Sequence, residues 1–147
     1  MARPFHFKLA KILEYRRQVE DQAKLALSQA RQTRAEHLAR VERLRLDFQS
    51  CLRELSAHKQ LTQADLWLWS SYRERLAQDM AQAEKHLTEL DKLVETRRKE
   101  LVAKALERKL LEKLRAKQAE KHEHDAQRKE QNEFDETATL RHGRASY

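Results

Sequence analysis

From Ile12 to Leu55 the non-polar positions recur at intervals of three and four. Ile12, Val19, Ala23, Ala26 and Ala30, with Arg16 as the polar exception, continue into Thr33, His37, Val41, Leu44, Phe48, Cys51 and Leu55. This spacing keeps one stripe on a single helical face and predicts a coiled-coil seam. Two steps of four meet around His37, which predicts a stutter that locally unwinds the supercoil. A second stripe runs through Leu68, Tyr72, Leu76, Met80, Ala83, Leu87, Leu90, Val94 and Leu101, then drifts through Leu106, Leu110 and Leu114. Two seams in one chain predict an all-α fold: a long antiparallel two-helix coiled coil, or α-hairpin, with the C-terminal helix overhanging.

The boundaries follow from the few breakers. Pro4 suits a first helical turn, where its missing N–H costs nothing, and Gly143 is expected to end any helix that reaches it. Between them, Thr62 followed by Asp65 resembles a capping box, so a second helix should start there. The expected organisation is a single coiled-coil domain over 1–147, with helix 1 at 5–57, a turn at 58–62, the paired part of helix 2 at 63–114, and a polar overhang and tail at 115–147. Folding about residues 59 and 60 sets Leu9 near Leu110, Ile12 near Leu106, Leu44 near Leu76, Phe48 near Tyr72, Cys51 near Leu68 and Phe5 near Leu114. From Arg115 to Glu133 only Ala116, Ala119 and Ala126 are apolar, so that stretch has no face to bury. Phe134, Ala138 and Leu140 then make a short amphipathic hook.

Composition narrows the classes. The 147 residues contain one Gly and one Pro, and 37% are charged. Sandwiches, barrels and Rossmann sheets need frequent turns and Val/Ile-rich strands, and are excluded. No apolar run approaches the roughly 20 residues of a membrane span, and Met1-Ala2-Arg3-Pro4 lacks the apolar core of a signal peptide, so a cytosolic chain is expected. Cys51 is the only cysteine, which leaves no partner within the chain for a disulfide.

Charge is unevenly placed. Residues 1–45 carry 11 basic and 5 acidic groups, 46–96 carry 6 and 9, 97–130 carry 12 and 7, and 131–147 carry 2 and 3. A hairpin brings the two basic segments together at its open end, suited to nucleic acid, an anionic membrane or an acidic protein cavity. Interleaved Glu and the lack of aromatics from Lys99 to Lys129 argue against sequence-specific nucleic-acid binding, though a nonspecific binder stays open. For a membrane, the apolar face is expected to be committed to the partner arm. A purely structural rod is a further alternative.

Candidate chemistry is sparse. His122 and His124 lie two apart and diverge by about 200° on a helix, so they cannot chelate one ion together. His37 on the seam can set register, and Cys51 behaves as a small apolar seam residue. No nucleophile elbow, phosphate-cradling Gly loop or His/Glu zinc helix is present, and nothing calls for a cofactor or for catalysis. The richest aromatic stretch is Leu66-Trp67-Leu68-Trp69 with Tyr72. A two-helix seam covers one stripe, so at least one indole should be partly exposed near the turn, a candidate contact residue.

Three segments together resemble one family. Phe5-His6-Phe7-Lys8-Leu9-Ala10-Lys11-Ile12-Leu13-Glu14-Tyr15-Arg16 is similar to the opening of FliJ proteins of bacterial flagella. Trp69-Ser70-Ser71-Tyr72-Arg73-Glu74-Arg75-Leu76 resembles the family's middle patch, and Asn132 to Arg141 its C-terminal patch, with Phe134, Asp135, Glu136, Ala138 and Arg141 carrying the motif. The resemblance implies a non-enzymatic component of the flagellar type III export apparatus. It implies a central stalk that promotes assembly and activity of the export ATPase ring, links it to the export-gate membrane protein and escorts export chaperones. The expected site is cytoplasmic, peripheral to the inner membrane at the flagellar base; the equivalent stalk of a virulence system is the related alternative. By position, the resemblance places gate contacts at Tyr72, Leu76 and Ala83, with Asp79 where the family can have Ala. The open end would offer Lys8, Lys11, Arg16, Arg17, Lys109, Lys113 and Arg115 to the ring.

Overall fold

Two helices, α1 (Ala10–Ala57) and α2 (Gln63–Ala145), account for nearly all of the computed structural model, which describes residues 3–57 and 60–145. They pack against each other as an all-α hairpin, with no strand among the described residues. Thr62 caps α2: its Oγ1 accepts a hydrogen bond from the Asp65 N–H at 3.2 Å, and its carbonyl accepts one from the Leu66 N–H at 3.0 Å. This satisfies helical donors that would otherwise be free. His58 and Lys59, within the expected turn, lie outside the described residues.

Helix α1 begins at Ala10, not at Phe5, and Pro4 lies in the non-helical segment before it. A residue preceding proline is disfavoured in the helical region, and Arg3 lies outside the helix. The helix opens only after a turn at Lys8 and Leu9, where the Ala10 N–H donates to the Phe7 carbonyl at 3.2 Å. Phe7 is buried there. At its other end α2 runs through Gly143 to Ala145. A glycine stop needs a left-handed backbone, and no described residue has positive φ, so Gly143 remains an ordinary helical residue.

The chain forms two units, one of Met1–Glu20 with Ala103–Tyr147 and one of Asp21–Val102. In the Asp21–Val102 unit the core comprises Leu27, Ala30, Val41 and Cys51 of α1 with Leu76, Ala83 and Leu90 of α2. The covered face of α1 is Leu27, Ala30, Arg34, His37, Val41, Leu44, Phe48, Cys51 and Leu55, a strict alternation of three and four. The expected stutter at His37 is therefore absent. Leu27 and Arg34 take the places assigned to Ala26 and Thr33, because leucine buries more surface than alanine and Arg34 can pair with Asp91 at the seam's edge. Near the turn, Cys51 meets the Trp69 carbonyl (4.0 Å), while Leu68, its expected partner, is exposed, as is Tyr72.

In the unit holding both chain ends, Leu13 is 2% exposed and Ile12 46%, so the seam lies one residue from its expected place. On α2 the side chains turned inward include Arg108 and Leu111, whereas Leu106, Leu110 and Leu114 are exposed. The expected pairs Leu9–Leu110 and Ile12–Leu106 do not form the core. Residues four apart advance about 40° around a helix at each step, so three leucines at that spacing rotate off a seam that alternates three and four. The ring of Phe5 packs on His122 (5.7 Å between centroids), beyond its expected partner Leu114. Non-helical chain rises about twice as far per residue as helix, which lets Arg3–Phe7 reach further along α2. Every described residue after Ala126 is exposed, so the uncovered end of α2 starts there and not at Arg115.

Candidate interaction surfaces

The Asp21–Val102 unit carries an aromatic surface on the first turns of α2. Leu66, Trp67, Leu68 and Tyr72 are all exposed there, Trp67 at 71%. Trp69 is half-buried and meets the Tyr72 ring edge-on, 6.1 Å between centroids. Of the three gate-contact candidates, Tyr72 is presented to solvent, whereas Leu76 and Ala83 are buried in the seam. Asp79 is exposed and lines a shallow cleft with His37, Arg40, Leu44 and His86. There His37 Nε2–H donates to the Ala83 carbonyl at 2.9 Å, and its ring meets His86 edge-on. His37 thus ties α1 to the backbone of α2, giving a polar seam position a satisfied partner.

The other unit is held by charge. Arg16 pairs with Glu107 at 2.7 Å and Arg17 with Glu112 at 3.3 Å, while Arg108 clasps both Glu20 and Glu112. Glu20 is buried, a cost offset by Arg108, which forks onto both of its oxygens. The hydrogen bond to Glu20 raises the Arg108 pKa above the ordinary arginine value, so the guanidinium stays charged throughout the working range. Spacing alone could have shown this position: Leu13, Glu20, Leu27, Arg34, Val41, Phe48 and Leu55 recur every seven residues.

These pairings sort the expected ring contacts. Arg16 and Arg17 are engaged with α2, whereas Lys8, Lys11, Lys109, Lys113 and Arg115 are exposed and form no ion pair with a described residue. Phe134, Asp135, Glu136, Ala138 and Arg141 are all exposed on the uncovered end of α2. There Gln131 Nε2–H donates to Asp135 at 3.2 Å.

Among the described residues no group of three or more His, Cys, Asp or Glu could hold a metal ion, and no helix is long and apolar enough to cross a membrane. The described residues define an all-α helical-hairpin protein. The family model described as "Flagellar FliJ protein" matches residues 5–146, and the chain belongs to the FliJ family. It is thus a component of the flagellar type III export apparatus, in a family that is not catalytic. Comparisons with curated proteins and with solved structures returned no match.

Proposed function

We propose that the chain is the stalk of the flagellar export ATPase ring, promoting the ring's assembly and activity and linking it to the export-gate membrane protein. Its place of work is the cytoplasmic face of the inner membrane at the flagellar base, where it also escorts export chaperones. The observation that carries this reading is the set of unpaired cations in the unit with both chain ends. Lys8, Lys11, Lys109, Lys113 and Arg115 face solvent, while Glu20, Glu107 and Glu112 are drawn into pairs with arginines. Side chains in that state can meet acidic loops of a ring in mobile, screened contacts. The gate contact falls to Tyr72 with its exposed neighbours Trp67 and Leu68, while Leu76 and Ala83 hold the helix that presents them.

Adding the purified chain should raise nucleotide hydrolysis by the export ATPase. The double variant Lys8→Glu/Lys113→Glu should lose that stimulation at unchanged helix content. An ATPase rate indifferent to a saturating amount of the chain overturns the stalk.

A further inference from the structure

The seam taken by α2 in the unit with both chain ends takes in Leu111 but leaves Leu106, Leu110 and Leu114 outside it. Leu106, Leu110 and Leu114 are all exposed, Leu110 at 68%. Leu106 and Leu110 each lie about 160° around the helix from Arg108, the residue that clasps α1, and Leu114 about 120°, so the three are turned away from the hairpin partner. Lys113, Lys117 and Lys121 fall within about 60° of the Leu110 direction, and Lys109 about 100° to one side. All four lysines are exposed, and none forms an ion pair with a described residue. From 109 to 121 there are five basic and two acidic residues, and Glu112, one of the two acids, is held by Arg17 and Arg108. The outward face is a stripe of leucine bordered and continued by lysine.

We propose that this face docks on the surface of an anionic lipid bilayer. The lysine charge fits acidic headgroups, and lysine stems can lie along the leucines while their ammonium groups stay at headgroup level. A second copy is disfavoured, because apposing two such faces would bring the lysines of one against those of the other. The stripe also stands on the outward side of a single helix, a convex shape that enters a planar interface and would need a matching groove in a protein. The assignment stands independently of the stalk reading. Lys109 and Lys113 cannot serve a ring and a bilayer at once, so the two occupants would compete.

The test is co-sedimentation of the full chain with vesicles of phosphatidylcholine alone or with phosphatidylglycerol added. The expected result is at least tenfold tighter binding to the anionic vesicles. Leu106→Gln/Leu110→Gln should weaken it at least fivefold, with the helical circular dichroism unchanged because both side chains are already exposed. Lys113→Gln/Lys117→Gln should do likewise, whereas Lys85→Gln/Lys92→Gln, with the same change of charge in the other unit, should bind within twofold of the parent. Equal binding to both vesicles, or no binding, overturns the proposal. So does anionic binding that ignores the leucine variant or responds equally to both lysine pairs, since that is adsorption of a basic chain. A protein ligand that binds this face while vesicles do not overturns it in favour of a protein groove.

Discussion

Single positions on α1 separate a side chain that holds the hairpin from its neighbour that does not. Leu13 is enclosed and Ile12 faces water, although both are large aliphatic residues one step apart. Leu13→Ala should therefore cost about 2–4 kcal/mol, and Ile12→Ala less than about 1, because only the first leaves a cavity. Urea unfolding of the two variants checks this, and the opposite order would return the seam to Ile12. Glu20 and Arg108 show why the face was hard to read. Heptad reading rewards apolar residues, so Glu20 is passed over although its seven-residue interval from Leu13 and Leu27 places it on the seam; the arginine that makes its burial tolerable lies far along the chain.

At the level of the helices, much was legible. Scarcity of Gly and Pro, the alternating spacing and the Thr62–Asp65 signal specify two helices and their hairpin, and the cap forms as the residues suggest. The start of α1 was not legible, because the non-helical run before Ala10 is fixed by burial of Phe7, a tertiary contact. Nor was the true path along α2, where a run of leucines at steps of four competes with arginine and leucine at seam spacing and loses. Gly143 sits within α2, and a Cβ built there would meet nothing within 4 Å. Gly143→Ala should accordingly strengthen the end of the helix by about 0.5–1 kcal/mol. Slower amide exchange at Arg141–Ala145 is the measurement; faster exchange would show that the glycine terminates the helix in solution.

For the molecule as a whole, holding and presenting fall to different residues, even within the Asp21–Val102 unit. Leu76 is enclosed between the helices, whereas Trp67 stands exposed on the same helix, so the two residues should answer different assays. Leu76→Ala should lower stability by about 2–4 kcal/mol, as a core truncation does. Trp67→Ala should leave the melting temperature within about 2 °C of the parent, yet weaken binding to the gate protein about tenfold, the scale of an aromatic anchor. Calorimetry paired with a binding titration separates them, and a Trp67 variant that melts early but binds normally would remove the aromatic surface from the proposed site. The position of that surface followed from a single-stripe seam being unable to cover both indoles. Which leucines would face water did not, since that depended on the path chosen by the opposing arm.

The unit with both termini joins its helices through guanidinium–carboxylate clasps around few enclosed apolar side chains, Phe7 and Leu13 among them. Such a closure has little oil to hold it and much water ready to replace each bond. It should breathe, parting and rejoining many times before the rest of the hairpin unfolds, so the stretch proposed to meet the ATPase ring is also the one that yields most readily.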